Sequence, residues 1–227
     1  MNKENLFKNI GKAILIFLLF NYSWLFQVIP IAMFDINVKL LDDKAGVFLS
    51  AFSSLCICII LCIIYKDDLK KEFKTFKANF WKNFDIGSKY WFIGLVSMIV
   101  INNIIINVLS GGQAANEEAV QGMISSLPWM MLFTAGLLAP ISEEIVFRKS
   151  IRNIFTNKWL YIITSGLLFG LAHVLGNTTV WTDWLYVLSY GSLGSAFAAS
   201  YYKTDTIFTP ILFHIIHNFV LVILSII

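Results

Sequence analysis

The stretch Met130-Met131-Leu132-Phe133-Thr134-Ala135-Gly136-Leu137-Leu138-Ala139-Pro140-Ile141-Ser142-Glu143-Glu144-Ile145-Val146-Phe147-Arg148 is long and apolar, yet carries two adjacent carboxylates. No other charge occurs between Glu118 and that pair. A carboxylate in hydrocarbon costs at least a few kcal/mol, so an acid placed there marks a functional site by default. Two side by side, with Arg148 close behind, are poorly explained by packing alone.

The rest of the chain makes the membrane reading general. Hydrophobic residues make up 58% of the 227 positions, charged residues only 14%, and the mean hydropathy is +0.74. Soluble chains carry about 25% charge. A span needs ~20 apolar residues, and about seven such stretches occur, near 13–34, 46–65, 91–110, 129–147, 159–175, 184–202 and 206–227. The expected fold is all-α, a polytopic bundle of about seven transmembrane helices. No long soluble segment remains, so any chemistry must happen in or at the bilayer, and no nucleic-acid partner is expected.

Charge placement gives the orientation. Lys3, Lys8 and Lys12 precede the first span, seven lysines from Lys66 to Lys89 follow the second, Arg148, Lys149, Arg152 and Lys158 follow the fourth, and Lys203 follows the sixth. Fifteen of the seventeen cations therefore share one side, the alternate loops holding only Lys39 and Lys44. The positive-inside rule makes that side cytoplasmic and puts the amino terminus there. The first apolar segment is too long for a signal-peptide core and lacks a small-residue cleavage site, so it reads as an uncleaved anchor.

Two regions follow within one membrane domain. Residues 1–90 read as a framing half with no polar residue that demands a reaction. Its segment Lys66–Lys89 interleaves lysines with Phe73, Phe76, Phe80, Trp81 and Phe84, the pattern of a basic amphipathic helix on the lipid surface. Cys56, Cys58 and Cys62 lie among Ile and Leu and read as small apolar fillers. Residues 91–227 hold the polar constellation. Within them the 111–128 loop carries Glu117 and Glu118 as solvated charges, with Ser126 a fitting N-cap for the next helix. Gly191, Ser195 and Ala199 form a small-residue row suited to close helix approach.

The chain's three histidines, His173, His214 and His217, all sit in apolar helical stretches. If the fourth span runs on to about residue 156, a hairpin turning near Thr156-Asn157-Lys158 brings Glu143 and His173 level, each ~20 Å from the turn. His214 lies ~14 Å into the seventh span from Asp205, with Asn218 one turn deeper. Glu144 and Arg148 stand at i and i+4 in the favoured order for an ion pair, while Glu143 points ~100° away. A desolvated carboxylate without such a partner can act as a general base. His214 and Asn218 share a face and could donate hydrogen bonds to a developing oxyanion. His217, at i+3, could replace either. Access to the site is expected from the Arg148-Lys149 end, past a bend at Pro140.

Glu143-Glu144-x-x-x-Arg148, Phe169-x-x-x-His173 and His214-x-x-x-Asn218, read in order, resemble the three signatures of the CPBP intramembrane proteases, a family of CAAX proteases and bacteriocin-processing proteins also called Abi or lysostaphin-resistance-like. The likeness covers roughly residues 125–222. It implies a glutamate-dependent endopeptidase acting on a membrane-associated peptide or protein. Glu143 and His173 would activate water, His214 and Asn218 would form the oxyanion hole, Glu144 and Arg148 would brace the site, and Phe169 would pack it. The implied roles extend to peptide maturation, bacteriocin immunity and regulation of surface proteins.

No cofactor is needed on this reading. An alternative zinc site would use Glu143, His173 and His214, enough ligands to leave one position for water, although the chain has no HExxH helix. A non-enzymatic membrane scaffold that binds another membrane protein is the competing function. A proton-coupled transporter is a third, disfavoured by the lack of an inverted repeat.

Overall fold

The computed structural model describes residues 3–109, 111–176 and 178–226, and within them finds helices and no strands. The expected ends of the third and seventh spans, Ser110 and Ile227, lie outside the described residues. Eleven α-helices follow in order: α1 (Lys3–Asn21), α2 (Val28–Met33), α3 (Asp43–Ile64), α4 (Lys66–Ala78), α5 (Phe80–Asn103), α6 (Ala115–Ser126), α7 (Pro128–Phe133), α8 (Ala139–Glu144), α9 (Lys158–Val174), α10 (Tyr186–Thr204) and α11 (Phe208–Ile226). This is a multi-pass helical membrane bundle. Its broad belt of exposed Ile, Leu, Val and Phe side chains, among them Ile14, Phe92, Ile99 and Ile163, is what a lipid-facing surface requires.

Four helical stretches are long and apolar enough to cross a bilayer: Asp43–Ile64, Phe80–Val108, Pro128–Lys149 and Phe208–Ile226. The bent pair Glu4–Asn21 and Ser23–Met33, at 48°, makes a fifth if counted as one span. The other two expected spans exist as helices but fall short, α9 at 17 residues and α10 through its many Gly, Ser and Tyr. The reason is position. α10 lies between α5 and α9, so much of it meets protein instead of lipid and needs less apolar surface. Gly166 shows how tightly α9 and α10 meet: an added Cβ would stand 2.6 Å from the Gly191 carbonyl oxygen.

The acid-bearing stretch is the most enclosed of the four spans. In Pro128–Lys149 56% of the apolar window is buried, against 11% in Phe80–Val108. It is not one regular helix. Thr134–Leu138 and Ile145–Lys149 are π-helical turns on either side of α8, an irregularity frequent at functional sites. Pro140 explains the first. In the wider register the amide of Ala139 bonds the carbonyl of Thr134, and the next donor in that series would be residue 140, which as proline has no N–H. The carbonyl of Ala135 is thereby left for another partner.

The span also ends early. It stops at Lys149 and gives way to irregular turns over 150–157, where a helix continuing to about 156 was expected. Side chains take up the last carbonyls: Ser150 Oγ bonds Val146 O at 2.5 Å, Ser165 Oγ bonds Phe147 O at 2.7 Å and Tyr161 donates to Arg148 O. Asn157 then caps α9, its Oδ1 accepting from the amides of Trp159 and Leu160.

Two further expectations are corrected. The 111–128 segment is not an open loop but carries α6, and Ser126 is its last residue, bonding back to Gly122 O; Leu127 stands at the N-cap of α7, with Pro128 in its first turn. In the framing half, the amphipathic helix expected over Lys66–Lys89 ends at Ala78 as α4, its remainder opening the spanning helix α5, and α4 buries Glu72 at the lysine-rich end of the bundle. That carboxylate accepts from Tyr201 Oη at 3.1 Å, from the amide of Ile207 at 2.6 Å and from the Lys149 ammonium, so α4 is pinned to the α10–α11 turn.

Candidate active site

Glu144 and Arg148 are both fully buried, with Arg148 Nε 3.2 Å from Glu144 Oε2. The contact is an ion pair, misaligned as a hydrogen bond. The guanidinium lies over the Phe169 ring at 4.3 Å and over Phe197 at 5.6 Å, and its Nη2 donates to Gly194 O at 3.3 Å. Gly194 permits this approach, because an added Cβ would meet Phe169 at 3.0 Å and Arg148 Nη2 at 3.2 Å. A planar, delocalised cation that stacks on aromatics suits such a position better than an ammonium would.

The second oxygen of Glu144 reaches across to α11. His214 Nδ1 donates to Glu144 Oε1 at 2.8 Å, and the opposite nitrogen, Nε2, lies 3.6 Å from Glu143 Oε2. The imidazole is therefore strung between the two carboxylates and stacked at 4.9 Å on Phe197. Adjacent glutamates on one helix meet the two edges of a single ring because successive side chains diverge by about 100°.

His173 is oriented from its own helix. Its Nδ1 donates to Phe169 O at 2.9 Å, and the ring packs at 4.3 Å on Phe169 and at 4.7 Å on Tyr190. Nε2 is left as its second functional nitrogen. On α11, Asn218 Nδ2 donates to Ala135 O at 2.8 Å, the carbonyl released by Pro140. An amide nitrogen carries two hydrogens, so one N–H remains for another acceptor. His217, nearly buried, belongs to the same region.

Glu143, Phe169, His173, His214, His217 and Asn218 all line one cavity of about 250 Å³. All eight residues singled out in the sequence thus fall in one neighbourhood, with Glu144 and Arg148 behind the cavity wall. The structure pairs Glu143 with His214 across the helices, a contact that helical spacing cannot reveal. Tyr190 and Phe197 carry no signal in the sequence, because nothing in an apolar, small-residue helix marks which side chains will stack on a histidine.

The remaining wall corrects the expected direction of access. It is formed by Asn116, Glu117 and Gln121 of α6, by Met98 of α5, and by Leu221 and Ser225 near the carboxyl end of α11. These lie toward the end opposite Lys149 and Asp205, and no residue of 145–165 or 200–212 lines the cavity. Glu117, expected to be fully solvated, is partly buried, and that burial pushes its carboxyl above the usual range. Among the described residues no three His, Cys, Asp or Glu side chains form a group able to hold a metal ion, Glu143, His173 and His214 included. The alternative zinc set is therefore not assembled in this arrangement.

The fold and site define a class: a polytopic helical membrane protein whose spans enclose a Glu–His–Asn cavity. Residues 125–220 match the family described as type II CAAX prenyl endopeptidase Rce1-like. That segment contains all eight residues, and the resemblance to the CPBP family is carried by it. Among similar proteins, YdiL of Bacillus subtilis (strain 168), by name a candidate membrane peptidase, is 30% identical over 139 residues, 60% of this chain and 53% of that protein. The UPF0177 protein YajF of Lactococcus lactis subsp. lactis (strain IL1403) is 31% identical over 106 residues, 43% of this chain and 53% of that one. The membrane-embedded CAAX protease MroQ of Staphylococcus aureus (strain USA300) is 25% identical over 134 residues, 55% of this chain and 51% of that protein. The chain thus spans about half the length of these curated relatives. No solved structure gives a significant match.

Proposed function

We propose that the protein is an intramembrane endopeptidase that hydrolyses a membrane-associated peptide or protein with a water activated by Glu143. The observation that carries this reading is that Glu143, His173 and Asn218 share one cavity while His214 is held between Glu143 and Glu144. Glu143 takes a proton from water as the water oxygen bonds to the scissile carbonyl carbon. The carbonyl electron pair moves to its oxygen, and the second N–H of Asn218 donates to that oxyanion. His173, with Nδ1 committed to Phe169 O, offers Nε2 to orient the attacking water. Collapse of the tetrahedral intermediate breaks the C–N bond, and the proton held by Glu143 passes to the leaving nitrogen.

His214 is fixed by Glu144, which is itself neutralised by Arg148. This chain of contacts sets which edge of the imidazole faces Glu143. With Nδ1 held by Glu144, Nε2 is the ring atom turned toward Glu143 and the cavity in which the oxyanion forms. The lysine-rich end is taken as cytoplasmic on the charge rule, so the cavity faces the other leaflet. No step requires a metal.

The test compares the purified chain with its Glu143→Ala variant on a library of membrane-associated peptides, with and without a chelator. Cleavage by the parent alone, unaffected by chelator, is expected. Loss on chelation would replace the water-activation scheme with a metal-dependent one. Absence of cleavage in both proteins would move the scaffold reading forward.

A further inference from the structure

The cavity has two carboxylates, and the proposed chemistry uses only one. Glu117 lines the same space as Glu143, yet it comes from α6, outside the spans that carry the catalytic motifs. Its companions on that wall are the amides Asn116 and Gln121, while Met98, Ile124, Leu193 and Leu221 supply apolar surface. No Lys or Arg lines the cavity, and among the described residues Glu117 has no ion-pair partner.

A second observation points the same way. The segments at this end of the bundle, residues 34–44, 104–127 and 175–185, contain Asp35, Asp42, Asp43, Glu117, Glu118 and Asp183 against only Lys39 and Lys44. The opposite end holds the other fifteen cations. A cleft rimmed by one sign of charge and walled by low-dielectric surface concentrates ligands of the opposite sign.

We infer that Glu117 is a recognition subsite for a Lys or Arg side chain of the substrate, held beside an otherwise apolar segment whose backbone lies against Glu143. A half-buried carboxylate with no counter-ion is costly, and its raised protonation range records that cost. A substrate cation would remove the penalty by pairing with it, and Asn116 and Gln121 can order the surrounding polar groups. Extended chain advances about 3.3 Å per residue, so a cavity of about 250 Å³ holds only a few residues. The cation therefore falls within a few positions of the scissile bond. The inference rests on the peptidase reading only for the fate of the bound peptide; the charge preference concerns binding.

The experiment uses the full chain in zwitterionic phosphatidylcholine nanodiscs, which remove lipid charge as a competitor. The probes are fluorescent apolar peptides with Lys, norleucine or Glu at each of three positions on either side of the centre. Binding is read by anisotropy and turnover by release of a quencher, for the parent, Glu117→Gln, Glu117→Lys and Glu143→Gln. The parent should bind the best-placed Lys peptide roughly ten-fold or more tightly than its norleucine counterpart, an effect that weakens with salt. Glu117→Gln should erase that preference, and Glu117→Lys should shift it to the Glu peptide.

Equal binding of Lys and norleucine peptides by the parent would overturn the inference. So would a preference that survives in Glu117→Gln. Charge-selective binding without cleavage in any protein would keep the subsite and sink the peptidase reading. Cleavage without charge selection would do the reverse. Should Glu117→Lys fail to fold, Glu117→Gln, which is close in shape, decides the matter alone.

Discussion

Two buried acid–base clusters sit at different levels of this bundle, and they are wired differently. At the lysine-rich end, Glu72 is closed off: Lys149 and Tyr201 occupy one of its oxygens and the Ile207 amide the other. Around Glu143 the wiring is left open. Glu144 is engaged by Arg148 and His214, but among the described residues Glu143 has only the 3.6 Å approach of His214 Nε2 before it meets the cavity. A carboxylate with every acceptor satisfied holds helices together. One left short of partners beside a cavity is available to take a proton. The difference lies in connectivity, since both acids are largely withdrawn from water.

The contrast breaks most readily under matched substitutions. Glu143→Gln should lower kcat by about 10²–10⁴-fold, while thermal unfolding in detergent stays near that of the parent. If the same substitution unfolds the protein, Glu143 belongs with Glu72 as a brace. Glu72→Ala should do the opposite. Removing one partner of a buried charge cluster costs about 3–5 kcal/mol, and activity per folded molecule should be retained. An unchanged melting temperature would refute the pinning of α4 to the α10–α11 turn.

A finer test lies at the edge of the open cluster. Asn218→Ala should reduce kcat by about 10²–10³-fold with little change in KM, but it also orphans the Ala135 carbonyl. Combining it with Pro140→Ala separates these roles, because alanine at 140 returns an N–H for the Ala135 carbonyl but offers none to the oxyanion. A loss confined to KM would assign Asn218 to substrate binding instead.

The smallest effect is expected at an acid outside the spans. Asp183 accepts from the amides of Thr179 and Val180 at 2.6 and 2.9 Å, and these bonds hold its carboxyl below the usual 3.8. A depressed folded-state value means the contribution is present at pH above the unfolded value and is lost as pH falls through the lower, folded one. Asp183→Asn should therefore lower the melting temperature by no more than about 2 °C at neutral pH. That gap should narrow as pH falls past about 3.8 and close below the lower folded-state value. A gap that persisted there would mean the turn depends on shape and not on charge.

Hydropathy alone made the helical membrane class legible, because the cost of unpaired backbone in lipid leaves long apolar segments little choice but helix. It read the centre of the bundle less well: α10 is helical but polar, and the acid-bearing span is broken by two π-turns. The Glu144–Arg148 pair was legible because both residues lie on one helix at a fixed spacing. Pro140 was visible as a bend, but the consequence that matters, an Ala135 carbonyl released to Asn218, needed the position of α11. Glu72 was hidden among lysines, where its charge looked like one more exposed group on an amphipathic helix.

By itself, then, the sequence determined that this chain lives in a membrane as helices, that its scarce acids, histidines and asparagine gather in the later spans, and which of them share a helical face. Tertiary structure alone decided that His214 bridges the two glutamates, that α6 walls the cavity with Glu117, and that one buried acid is sealed while another is open. Contacts within a helix follow from a repeat of 3.6 residues. Contacts between helices follow from how spans pack and turn, which no local spacing encodes.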